Sequence, residues 1–134
     1  MQWSAKSRAP TDARRYVTVI MHISHEEYIK KQRQKVVDLL RDVIDGKTSI
    51  LVASRQIVQL RFEIDFDEND KDILAFVGID SESDSLPIGL ERAYWSEEAL
   101  KNKENEIMEI EKWALDFGIE ACKNLMEKLT METT

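Results

Sequence analysis

Histidine, cysteine, proline and glycine are all scarce: two, one, two and four, respectively, in 134 residues. The single cysteine, Cys122, excludes an internal disulfide framework, and its apolar helical neighbours point to a buried thiol. Both histidines, His22 and His25, lie near the N-terminus, so no Ser/His/Asp or Cys/His set is proposed. They have the spacing of two metal ligands, but zinc wants three or four, and no second Cys or His pair follows. Long apolar runs are missing too. Residues 17–21 form a five-residue stretch interrupted by Thr18, far short of the roughly 20 apolar residues of a membrane span. It is also too short for the core of a signal peptide. No membrane segment or secretory leader is expected, and the expected compartment is the cytoplasm.

Basic charge is in deficit. The net charge is −7, and it is uneven. Residues 1–20 hold Lys6, Arg8, Arg14 and Arg15 against Asp12 alone, which leaves 15 basic and 25 acidic side chains elsewhere, a net of −10. Such a body repels phosphate backbones, so direct nucleic-acid binding is disfavoured, whereas a basic partner is attracted and steered. A hydrophobic fraction of 43 % supplies one modest core.

The pattern along the chain is helical. Residues 1–20 read as a flexible basic arm without helical period, with a short strand over 16–20 as the competing reading, and 21–134 read as a single helical domain. Ser24-His25-Glu26-Glu27 has the form of a capping box and predicts a helix start. Ile29, Val36, Val37, Leu40, Val43 and Ile44 give that helix one apolar face, and Gly46 supplies its C-cap. Thr48 or Ser49 caps a second helix carrying Ile50, Leu51, Ala53, Ile57, Val58, Leu60 and Ile64, which forms an antiparallel hairpin with the first. Residues 60–66 alternate with period two, so this end has an extended alternative. Asn69 or Asp70 caps a third helix through Ile73, Leu74, Phe76 and Val77, weakened by Gly78; residues 76–79 also fit a buried strand. Residues 80–89, with Pro87, read as a loop. Ser96 then caps a long C-terminal helix with a stripe at Leu100, Ile107, Ile110, Ala114, Phe117, Ala121, Cys122, Leu125 and Leu129. Residues 101–106 are polar all round, so the helix is expected to project or break there. The fold class is all-α: a hairpin plus a short helix packed on a long C-terminal helix.

Several motifs fail on inspection. Gly46-Lys47-Thr48 resembles the end of a phosphate-binding loop, but Arg41 stands where its first glycine belongs and a helix precedes it. Asp65, Asp67 and Asn69 match the opening of a calcium loop, yet Asp70 and Phe76 fill the glycine and closing-glutamate positions. Asp80, Glu82, Asp84 and Glu91 fit a second calcium frame in which Ser85 replaces the turn glycine. Arg15 and His22 have a spacing found in some helical ribonucleases. None of these predicts catalysis, a metal or a cofactor.

The remaining candidate is charge. Residues 63–84 hold nine acids (Glu63, Asp65, Asp67, Glu68, Asp70, Asp72, Asp80, Glu82 and Asp84) against one base, Lys71. Tyr94 and Trp95 follow as possible interface anchors. Clustered like charge is relieved by a cationic partner, so these eleven residues are the expected partner-binding set.

Residues 76–89, followed by Tyr94-Trp95-Ser96, resemble a group of small uncharacterised bacterial proteins over roughly residues 24–130. In size, acidity and lack of catalytic residues the chain is also similar to immunity proteins of contact-dependent growth inhibition and related toxin systems. That resemblance implies a non-enzyme that binds and neutralises a basic toxin domain, often a nuclease, and it fixes no residues. The alternative is a helical structural or regulatory protein that self-associates, as a homodimer, through its C-terminal helix.

Overall fold

Four α-helices account for most of the chain in the computed structural model, which describes the backbone over residues 11–133 and side chains over 24–131. They are α1 (Thr11–Ile44), α2 (Ile50–Leu60), α3 (Lys71–Ser83) and α4 (Glu97–Thr133), with a 3-10 helix at Gly89–Tyr94. The described residues contain no strand, and the fold is all-α.

Local chemistry sets most boundaries. Gly46 adopts φ +76°, and its N–H bonds the Val43 carbonyl at 3.1 Å while Lys47 N–H reaches the Asp42 carbonyl at 2.8 Å. This pair of bonds closes α1 as a Schellman cap, so Gly46-Lys47-Thr48 is a helix stop and the start of a turn. Ser49 Oγ accepts from Leu51 N–H at 3.1 Å to open α2. Asp70 Oδ1 accepts from the N–H groups of Asp72 and Ile73 to open α3. Ser96 Oγ accepts from Ala99 N–H at 3.1 Å to open α4.

Contacts fix the directions. Arg33 of α1 reaches the turn beyond the end of α2, so those helices are antiparallel. Asp70 at the start of α3 meets Lys128 near the end of α4, and Ile79 near the end of α3 lies against Gly118. The helices α3 and α4 are therefore antiparallel as well. The core between them is aliphatic. Val36, Leu40, Leu51, Ile57, Ile64, Ile73, Ile79, Leu125 and Leu129 are fully enclosed with the one large ring, Phe76.

Four expectations change. Helix α1 begins at Thr11 rather than Ser24. With the chain already helical upstream, Ser24 N–H has its own turn to bond, and no cap is called for. The strand alternative over residues 16–20 gives way to the same helix, as does the part of the flexible-arm reading that covers 11–20; residues 1–10 lie outside the described residues. Helix α3 runs on to Ser83, into the expected loop: Ile79 and Ser83 are buried, and Ser83 Oγ donates to the Ile79 carbonyl at 2.9 Å. Residues 61–69 are neither helix nor strand but a turn, with Asp65 at φ +49°. Finally, of the two alternatives for residues 101–106, the helix projects there and does not break. Those residues are almost entirely exposed, and the first fully buried α4 side chain is Ala114.

Candidate functional site

The acids that are contiguous in sequence separate in space. Helix α3 is 13 residues long, about 20 Å at 1.5 Å per residue, and it stands between two groups. Glu63, Asp65, Asp67 and Glu68 lie on the α2–α3 turn at one end; Glu82 and Asp84 lie at the other. That separation exceeds the roughly 8 Å screening length at physiological salt, so the two groups do not act as one patch.

Three of the nine acids are neutralised within the molecule, a correction to the uniform acidic stretch. Lys128 Nζ lies 2.7 Å from Asp70 Oδ2 and 2.6 Å from Asp72 Oδ2. The second contact is ionic rather than a directed hydrogen bond, since that buried oxygen finds no donor at a hydrogen-bonding angle. Burial pushes the Asp70 carboxyl up, but Lys128 and the N–H groups of Asp72 and Ile73 outweigh it and hold it below its ordinary value. Lys128 is held above its own by its contacts with the Asp70 and Asp72 carboxylates. Asp80 is the third. Arg55 Nε approaches its Oδ1 at 3.2 Å, Nη1 meets Glu91 Oε1 at 2.6 Å, and Nη2 donates to the Ser83 carbonyl at 2.6 Å. The two ends of the calcium frame, Asp80 and Glu91, thus converge on a guanidinium.

What remains is concentrated on the α2–α3 turn. Asp65, Asp67 and Glu68 are exposed and form no ion pair among the described residues. Glu63 accepts a hydrogen bond from the Tyr28 hydroxyl, which raises the phenol's pKa. The turn is held in shape from beneath: Arg33 Nε donates to the Ile64 carbonyl at 2.6 Å and Nη2 to the Asp65 carbonyl at 2.5 Å. Ile64 is fully buried under it, and Asp67 Oδ1 accepts from Asn69 N–H at 2.9 Å. Beside α1 the turn forms an open cleft of about 240 Å³ lined by His25, Tyr28, Ile29, Phe62, Glu63 and Asp65. Phe62 is exposed with Arg61 4.4 Å over its ring. Binding residues favour loops presented by a rigid scaffold, and this turn has that construction.

Family models, curated proteins and solved structures offer no match to this chain. Function is therefore read from the geometry. At the far end of α3, Tyr94 is 90 % exposed and Trp95 half-buried, beside an open groove of about 420 Å³ lined by Arg92 and by Glu97, Leu100, Lys101, Glu104, Ile107 and Met108 of α4. Among the described residues no three His, Cys, Asp or Glu side chains gather as a metal ion would require. Arg15 and His22 lie outside the described side chains. Cys122 is fully buried, and burial pushes its thiol up to about 11, which leaves it protonated and unreactive at neutral pH.

Sequence reasoning missed the two internal cations, Arg55 and Lys128. Both are distant in sequence from the acids they hold, and no local pattern marks such pairs. It also placed Phe117 in the core stripe, whereas the ring is 52 % exposed. The buried face of α4 is Ala114, Gly118, Ala121, Cys122, Leu125 and Leu129, and Phe117 stands to one side of it.

Proposed function

We propose that this chain is a non-catalytic immunity protein of the cytoplasm, which binds a basic toxin domain of nuclease type through its acidic surface. The α2–α3 turn supports this reading most. It displays Asp65, Asp67 and Glu68 without a counter-charge among the described residues, beside Glu63 and the exposed Phe62, on a backbone pinned by Arg33. Carboxylates fixed in this way match cationic side chains that would otherwise grip a phosphate backbone, and an aromatic ring beside them supplies an anchor. The remaining charge of the body draws such a partner in by long-range steering.

The test is inhibition. The purified chain, added to the toxin domain encoded by the adjacent gene, is expected to form a tight complex by calorimetry and to abolish cleavage of nucleic acid. Affinity should fall as salt rises. Full activity of the toxin domain in the presence of excess chain contradicts the proposal.

A further inference from the structure

A second surface lies on α4, made by residues that belong to that helix alone. Trp113 and Phe117 are one helical turn apart, and their rings stack with centroids 5.2 Å apart and planes within 10°. Trp113 is 42 % and Phe117 52 % exposed, so the stacked pair is open to solvent beside the core. Aromatic rings are enriched at protein interfaces relative to the rest of the surface. The helical repeat places them about a third of a turn round α4 from the face that packs on α3.

The charge around the pair is predominantly negative. Glu106, Glu109 and Glu120 fall on the same face by their spacing, Asp116 borders it, and all four are exposed. Residues 104–120 contain six acids and a single base, Lys112. Beyond that stretch, Lys103 is bonded to Glu106 at 3.2 Å, and Lys123 follows one turn after Glu120. A second copy of the chain seated here would bring these carboxylates against their own images, which is repulsive. A cationic partner has the opposite fit. Guanidinium groups stack on aromatic faces and pair with carboxylates at the rim, and apolar side chains between them cover the rings.

We propose that the Trp113–Phe117 face of α4 is a docking site for an amphipathic helix whose apolar stripe is flanked by arginines. The inference stands on the α4 surface alone and holds whether or not the partner is a toxin. An arginine-flanked helix brings two attractions at once, ring stacking and charge pairing, whereas an acidic or uncharged helix brings at most one.

Fluorescence anisotropy of labelled synthetic peptides tests this against the full chain. The probes are a Leu-striped helix flanked by Arg, the same helix flanked by Glu, and an oligo-arginine without an apolar stripe. The Leu/Arg helix is expected to bind, and the other two to bind at least about tenfold more weakly. Trp113→Ala with Phe117→Ala, and separately Glu109→Lys with Glu120→Lys, should each weaken it about tenfold or more at unchanged helicity and Tm. Asp65→Lys with Asp67→Lys on the other surface should leave the peptide affinity within about twofold. The proposal is overturned if the Leu/Arg helix does not bind, if it binds no better than the Glu version, or if the α4 variants bind it like the parent. It is equally overturned if light scattering shows a dimer that Trp113→Glu dissolves. Failure of the parent chain to bind the Leu/Arg helix alongside intact toxin inhibition rejects this site and leaves the immunity function standing.

Discussion

Two residues decide how much of the acidity is available. Lys128 neutralises the half-buried Asp70 and the buried Asp72 together, and Arg55 joins Asp80, Glu91 and the Ser83 carbonyl. Removing Lys128 leaves a carboxylate that is 4 % exposed without its counter-charge. Lys128→Met is expected to lower stability by about 1–3 kcal/mol, the lower part of the range for broken buried pairs because Lys128 itself is partly exposed. Because Asp70 is held below its ordinary value, its stabilisation is complete above roughly pH 4 and is lost as pH falls through the lowered value. Urea unfolding at a series of pH values should therefore show the gap between parent and Lys128→Met closing in acid. A constant gap contradicts the pairing. Ser54 gives the opposite case. Its hydroxyl is fully buried and has no hydrogen-bond partner among the described residues, so Ser54→Ala should raise stability by about 1 kcal/mol in the same measurement.

Elements show how much the sequence discloses. The caps at Ser49, Asp70 and Ser96 and the stop at Gly46 were legible because each depends on chemistry within a few residues. The end of α3 was not. Asp80-Ser-Glu-Ser reads as loop by composition, and only burial of Ile79 and Ser83 against other helices keeps it wound. The false start at Ser24 has the same origin: a capping sequence opens a helix only where no helix already runs. Of the eleven expected partner-binding residues, the exposed acids were legible as charge, but the pairing that withdraws Asp70, Asp72 and Asp80 is tertiary. Two glycines inside helices separate local from tertiary effects. A Cβ at Gly78 meets nothing within 4 Å, whereas one at Gly118 would lie 2.8 Å from Ile79 Cδ1 and 3.0 Å from Ile50 Cδ1. Gly78→Ala is expected to stabilise by about 0.5–1 kcal/mol through helix propensity. Gly118→Ala forgoes that gain, because both isoleucines are enclosed, and should destabilise by about 1 kcal/mol, with Gly118→Val worse. Thermal unfolding of the three variants checks the order.

Across the whole molecule, an aliphatic helical core carries an excess of negative charge that its own cations only partly cancel. The pinned α2–α3 turn and the Trp113–Phe117 face each join open carboxylates to exposed aromatic rings, and both favour the same sign of partner. The one cysteine is sealed in the core, and the Tyr28 phenol beside the turn is shifted away from ionisation. The account rests on docking driven by negative potential, and stopped-flow association with the proposed toxin partner tests that most directly. Asp65→Lys, Asp67→Lys and Glu68→Lys together should slow association by about tenfold or more at low salt and flatten its dependence on ionic strength. An association rate and salt slope equal to those of the parent chain would contradict it.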